Sequence, residues 1–259
     1  MHRRMVELKT PAEVEAVREA GRVVARALDA VRAHAAPGVR LTELDEVARS
    51  VLADAGATSP FLGYQPGFAP VPFPAVICAS VNDAALHGIP GPGRLADGDL
   101  LSIDCGAVLD GWAADAAISF SVGRPRPADR KLIDTAFAAL DAGIAAAVVG
   151  SRIGDISAAI GAIGRAGGYG ISTDFGGHGV GRQMHEAPSV PNEGRQGRGL
   201  KLSPGLVIAI EPWFLAGGDD EYLIDRDGWT LRSADGSRAA HVEHTIAVTP
   251  EGPVLMTVP

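Results

Sequence analysis

Apolar positions in this chain fall into two periods, and the switches between them mark its elements. From residue 10 the period is helical. Thr10-Pro11-Ala12-Glu13 opens a helix, with Thr10 as cap, Pro11 at the first helical position and Glu13 able to reach back as in a capping box. Val14, Val17, Val24, Leu28 and Val31 share one face up to Pro37-Gly38, and a second helix runs from Thr42 to Gly56 with Leu44, Val47, Val51 and Leu52 inward. Residues 59–74 hold five prolines and read as a loop. Ala75–Ser80 is a short strand. After a central hairpin the helical period returns over Lys131–Val149, with Leu132, Ile133, Phe137, Leu140, Ile144 and Val148 inward. A further helix ends near Gly167-Gly168. A Gly/His-rich loop, an apolar strand Gly205–Glu211 and a last strand His241–Thr249 complete the chain.

The hairpin spans Asp99–Ser121, two apolar runs joined by Asp110-Gly111. Asp-Gly between strand-like runs signals a two-residue turn, because both central positions need φ > 0. Counting back from that turn sets Leu109 opposite Trp112 and Gly106 opposite Asp115. Asp104 shares the face of Gly106, so Asp104 and Asp115 become diagonal neighbours, roughly 7 Å apart at Cβ. Two carboxylates on one face of an apolar hairpin repel. Either a hard cation lies between them, or one of them faces solvent at the hairpin edge.

The two helical stretches resemble each other. Gly150-Ser151-Arg152-Ile153-Gly154-Asp155 echoes Gly38-Val39-Arg40-Leu41-Thr42-Glu43. Leu86-His87-Gly88-Ile89-Pro90 matches Met184-His185-Glu186-Ala187-Pro188, and Asp104 and Asp115 match Glu211 and Glu243. The expectation is one domain over residues 1–259 with an internal pseudo-repeat, about 10–122 and 128–249, whose halves face a common cleft. The 259 residues suffice for a large core, and a net charge of −8 argues against a nucleic-acid or anionic-membrane surface. Two cysteines, Cys78 and Cys105, suit a reducing compartment. The basic start lacks the apolar run of a secretory leader, and no apolar run reaches membrane-spanning length, so a cytoplasmic protein is expected.

Glu211 ends the buried-looking run LVIAIE and needs a partner, an arginine or a metal. Glu243 sits in HVEHTIAV beside Thr245, and its pairing with Glu211 singles it out. The stretch GGHGVG lacks the Gly-Lys-Ser/Thr ending of a phosphate loop, so its glycines are expected to let the backbone bend and place His178 in a cleft. His185 lies seven residues on. Four carboxylates with one or more imidazoles and few thiolates suit a pair of ions such as Mn, Co, Fe or Zn, about 3.5–4 Å apart, which is hydrolase chemistry.

Six segments give this set a specific likeness: VNDAALHGIP, LLSIDCGAVLDGWAAD, GGHGVGRQMHEAP, LVIAIEPW, DGWTLRS and HVEHTIAVT. In this order they resemble the type I methionine aminopeptidases of peptidase family M24, over nearly the whole chain. The resemblance implies an α+β pita-bread fold, two pseudo-symmetric α/β halves around a central antiparallel sheet. It implies two divalent metals (Co, Mn, Fe or Zn) on Asp104, Asp115, His178, Glu211 and Glu243, with Asp115 and Glu243 as the bidentate or bridging pair and Asp104 and Glu243 helping to hold both ions together. His87 and His185 correspond to substrate-contacting histidines, Glu211 to the general base, and Tyr64, Phe73, Cys78, Met184 and Trp229 to a methionine pocket. The implied activity removes an initiator methionine ahead of a small second residue by means of a metal-bridging hydroxide. The implied partners are N-termini of nascent polypeptides at the ribosome, without direct nucleic-acid or membrane contact, and a monomer is expected. The alternatives are an X-Pro aminopeptidase or prolidase of the same fold, a metal-free peptide-binding relative and a slow paralogue. Ala116-Ala117, Gly106 and His241, where the family commonly has Thr and a small polar residue, Thr and Gln, are the departures nearest the ligands.

Overall fold

The computed structural model describes residues 6–259; the basic start that bears on the leader reading, residues 1–5, lies outside the described residues. In chain order the elements are α1 (Pro11–His34), α2 (Leu41–Asp54), β1 (Ile77–Val81), β2 (Ala84–Leu86), β3 (Leu100–Leu109), β4 (Trp112–Ser121), α3 (Pro127–Ala146) and α4 (Ile153–Ala166). Then follow β5 (Gly177–Gly179), β6 (Glu186–Val190), β7 (Val207–Ile210), β8 (Trp213–Leu215), β9 (Tyr222–Ile224), β10 (Leu231–Ser233), β11 (Ala239–His241), β12 (Glu243–Thr249) and β13 (Gly252–Leu255). The main sheet is antiparallel in the order β1-β3-β4-β12-β7-β5-β6, with β13 on β12; β2-β10-β9 and β11-β8 form two small sheets.

α1 begins at the capping box foreseen for Thr10 and Glu13. α2 and α4 share another start. Arg40 and Arg152 are their N-caps, and Glu43 and Asp155 accept the cap backbone N–H at 3.0 and 2.7 Å. Gly38 and Gly150 precede them at φ +93° and +94°, a region that glycine enters without strain. α3 starts at Pro127, four residues before its expected start, and ends at Ala146. Val148, expected inward, lies beyond that end and is exposed. The strand expected at Ala75–Ser80 is shifted to Ile77–Val81.

The hairpin has the register the turn dictates: Leu109 opposite Trp112, Gly106 opposite Asp115, and Asp104 opposite Ala117. Asp110 and Gly111 take φ +50° and +76°. Strand alternation sorts its residues. Leu101, Ile103, Cys105 and Ala107 join α1 and α2 in one core, so Ser102, Asp104 and Gly106 point to the other face. A second core gathers α3 and α4 with Ile208, Ile210, Ile246 and Val248.

Two further strands differ from expectation. The last strand is broken at Val242: His241 pairs with Trp213 in a small sheet, whereas Glu243 and His244 pair with β4. Likewise β7 stops at Ile210, which leaves Glu211 and Pro212 between β7 and β8. The chain bends at both places because Pro212 has no N–H for a ladder, and its carbonyl accepts from Val242 N instead, at 3.1 Å.

Candidate metal centre and apolar cavity

The Gly/His segment is a strand, β5, rather than a loop. Gly177 and Gly179 serve close approach: a Cβ on either would collide with the backbone carbonyl of Ala209 or Ala187. Tight packing, not a sharp bend, carries His178 to the centre. Its Nδ1 lies 3.0 Å from the Gly179 carbonyl, an acceptor, so Nδ1 bears the proton. Nε2 faces Asp115 Oδ2, 3.8 Å away, and Glu211 Oε1, 3.6 Å away.

Asp115 is seated by Thr245, whose hydroxyl accepts from Asp115 N at 3.0 Å and donates to Asp115 O at 2.7 Å. That side chain bridges β4 and β12 one step beyond their backbone pairs. Glu211 is held through its carbonyl, which accepts from Asn192 Nδ2 at 3.1 Å. His241, buried at 2% exposure, turns Nε2 toward Glu211 Oε2 at 3.6 Å and Glu243 Oε2 at 4.0 Å. Its backbone rests on Ser119, which accepts from His241 N at 2.9 Å and donates to His241 O at 2.7 Å. His87 follows β2 at φ +56°, a left-handed conformation unusual for a residue with a side chain.

All residues singled out from the sequence line one cavity of about 170 Å³: Asp104, Asp115, His178, Glu211 and Glu243, together with His87, His185, Tyr64, Phe73, Cys78, Met184 and Trp229. Phe61, Phe68 and Phe175 line it too and were not foreseen. Phe61 and Phe68 lie in the proline-rich loop, where no period betrays an inward face; Phe175 stands three residues before His178. Trp229 meets Phe73 edge-on at 5.0 Å between centroids, and Phe175 meets His87 likewise at 5.3 Å. Gly106 has a packing reason: a Cβ there would lie 2.7 Å from Pro60 Cγ and 3.0 Å from Phe61.

The electrostatics divide the cavity. Burial, then Asp115 and Glu211, hold the Asp104 carboxyl well above its usual range, and burial with Asp115 and Glu211 does the same to Glu243. Burial raises Asp115 to about 6, against the pull of His178. Burial also pushes Glu211 up, but His241, His178 and His185 outweigh it and leave the group below its usual value. Burial brings His87 down to about 4; enclosure and the His178 ring lower His185. Both face the cavity as neutral imidazoles at neutral pH.

Such a cluster fits divalent metal. Asp104 Oδ1, Asp115 Oδ1 and Glu243 Oε1 are buried without a hydrogen-bond partner. Ligand atoms of Asp115, His178 and Glu243 lie within 4.8 Å of one another, as do those of Glu211, His241 and Glu243. His178 Nε2 faces two carboxylates beyond hydrogen-bond distance, which leaves room for a cation between them, and a bond from the other ring nitrogen to a carbonyl is how metal-binding histidines are oriented.

Comparison with known proteins gives the family and the fold. Residues 14–250 match the model of metallopeptidase family M24. Methionine aminopeptidase 1 of Mycobacterium tuberculosis is 51% identical over 98% of this chain and 96% of its own length. The crystal structure of a methionine aminopeptidase from Thermotoga maritima superposes with a TM-score of 0.93 at 35% identity, covering 98% of this chain and 100% of that one. A prolidase from Pyrococcus furiosus shares the fold with a TM-score of 0.76 at 22% identity, covering 97% of this chain and 65% of its own.

Proposed function

The chain belongs to metallopeptidase family M24 and is a hydrolase of the methionine aminopeptidase kind with the pita-bread fold, and from that premise we propose that it removes the N-terminal methionine from polypeptides with a small second residue. One observation carries the reading: four carboxylates and His178 line the same cavity as Phe73, Cys78, Met184 and Trp229. An apolar wall that includes sulfur suits a thioether side chain.

Asp104, Asp115, His178, Glu211 and Glu243 would hold two divalent ions, with Mn, Co, Fe and Zn as candidates. When bound, the ions supply Lewis acidity and an activated water. The chain's own residues do the rest. Glu211 is the carboxyl of the cluster held below its usual value, chiefly by His241 and His178, so it takes the proton from water and later passes it to the leaving amine. His185, neutral and lining the cavity, donates to the oxyanion that develops on the scissile carbonyl. His87 contacts the scissile nitrogen. The substrate's free α-amine would bind at this cluster, to a metal or an acidic ligand, which restricts cleavage to the first residue. In this reading the substrates are nascent chains at the ribosome in the cytoplasm, the enzyme acts as a monomer, and its halves descend from one duplicated unit within a single domain.

The test is release of free methionine from Met-Ala-Ser and Met-Pro-Ser by metal-stripped protein titrated with Mn²⁺, Co²⁺, Fe²⁺ or Zn²⁺, beside a Leu-Pro peptide. Methionine release that requires metal and fails with Asp115→Ala is the expected result. Cleavage of the Leu-Pro peptide alone would assign the X-Pro activity instead. Binding of methionyl peptides without hydrolysis at any metal concentration would overturn the enzyme reading.

A further inference from the structure

The segment that carries Met184 and His185 is fastened from outside the cavity by an ion pair between a buried lysine and a half-buried glutamate. Lys9 precedes α1 and is 6% exposed. Its Nζ lies 2.6 Å from Glu186 Oε2, with the two side chains 2% and 15% exposed. Glu186 directly follows His185, and its other oxygen accepts from Gln183 N at 3.1 Å. One carboxylate therefore spans the turn from Gln183 to Glu186, and Lys9 holds that carboxylate. Lys9 is itself fixed. Its N–H donates to Gly205 O at 2.7 Å, and Gly205 adopts φ +87°, where a Cβ would strike the Lys9 carbonyl. At the far end of the turn, a Cβ on Gly181 would lie 2.5 Å from Lys9 Cε and 2.6 Å from Glu186 Oε1, so the pair packs directly on that glycine. Arg182 faces outward and lies over the Trp112 ring, 3.8 Å from its centroid, at the hairpin tip.

We propose that Lys9 is a positioning residue: through Glu186 it sets where His185 and Met184 stand in the cavity, so that the entry to α1 governs catalysis from outside the site. This rests on the aminopeptidase reading of His185. The physical reason is the cost of a buried charge without its partner. With Lys9 removed, the Glu186 carboxylate must reach water, and the turn it spans moves with it. A misplacement of about 1 Å at the reacting groups, brought about by a change far from them, suffices for about a 10²-fold loss of rate. Removing both charges is milder, because the amide that Glu186→Gln introduces can keep the bond to Gln183 N and no charge is stranded.

The experiment compares wild type, Lys9→Met and Lys9→Met/Glu186→Gln, all metal-loaded and assayed on Met-Ala-Ser well below their unfolding temperatures, with hydrogen–deuterium exchange on each. The expected result for Lys9→Met is a kcat lower by roughly 10–100-fold, with a smaller change in KM because Met184 is one of several pocket walls. Exchange should accelerate over 181–187 and stay as in wild type over β3 and β4. The double variant should recover most of the kcat and of the protection. A role confined to stability would lower the unfolding temperature and leave kcat per folded molecule as it was. The proposal is overturned by an unchanged kcat in Lys9→Met, by unchanged exchange over 181–187, or by a double variant no better than the single one. Should wild type itself release no methionine, the aminopeptidase reading fails separately, and exchange over 181–187 alone then decides whether Lys9 holds the turn.

Discussion

The two halves of the chain bring carboxylates to the same cluster by different means. In the first half, Asp104 and Asp115 stand on an unbroken ladder of ten opposed pairs from Leu100–Ser121 to Leu109–Trp112. In the second, Glu211 lies beyond the end of β7, and Glu243 starts β12 just after the break at Val242. A ladder fixes its side chains mainly by backbone hydrogen bonds, here with Thr245 of the other half added on the backbone of Asp115. A bend does not, and the second half takes its fixation from elsewhere: Asn192 on the Glu211 carbonyl, and Ser119, from the first half, on the backbone of His241. The difference teaches that the hairpin is a frame, and that the bent half is adjustable and depends on single side chains.

The comparison breaks most sharply at Glu211. Glu211→Gln removes the ionised carboxyl of the bent half, and kcat for methionine release should fall by about 10²–10⁴-fold, while circular dichroism stays as in wild type. Next comes His241, whose imidazole faces both bent-half carboxylates. His241→Ala should weaken metal binding by about 10–100-fold in calorimetric titration. Ser119→Ala removes only the seat beneath His241 and should weaken it less. An equal effect from both would mean that the backbone, not the imidazole, matters.

The acidic cluster predicts an inverted dependence of stability on pH in metal-stripped protein. Asp104 and Glu243 have folded-state values well above the usual carboxylate ones. The folded form thus holds protons that the unfolded form has lost, so stability is present at low pH and declines as pH rises through the folded values. Below about 6.5 the lowered His87 and His185 act in the opposite sense. Between that point and the thiol range near 9, where buried Cys78 and Cys105 begin to count, the carboxyls act alone. Urea midpoints of stripped protein should fall from pH 6.5 upward, by up to about 1.4 kcal/mol per pH unit for each titrating group, and metal should abolish the decline. A flat profile without metal would remove the case for buried carboxyls held above their usual range.

The smallest effect sharpens the contrast from the other side. Gly111 sits in the hairpin turn at φ +76°. Gly111→Ala should cost about 1–2 kcal/mol of stability, read from denaturant midpoints, and leave metal affinity as it was, since the ladder continues to hold Asp104 and Asp115.

Legibility follows the same division. Asp110-Gly111 is a local signal, and from it the register of Asp104 and Asp115 can be counted. The capping residues Thr10 and Glu13 mark α1 for the same reason. The second half offers no such signal. The strand through His241 reads as continuous because apolar alternation runs across Val242, and the break depends on Pro212 in a distant segment. His178 is held in a strand by glycines that admit neighbouring carbonyls, a contact no sequence pattern displays. The aromatic lining from Phe61 and Phe68 comes from a loop whose fold is set by what it packs on. Glu211 is marked by its place at the end of the apolar run LVIAIE, whereas Glu243 is reached through its pairing with Glu211, its likeness to the hairpin pair and its likeness to a known family.

The central claim is that five side chains from both halves share two metal ions. The most direct measurement is anomalous diffraction from crystals of the wild-type protein grown with Mn²⁺, collected on the low-energy side and the high-energy side of the manganese edge. The account predicts two peaks, both bounded by Asp104, Asp115, His178, Glu211 and Glu243. No peak in the cavity, or manganese held only by residues of one half, would contradict it.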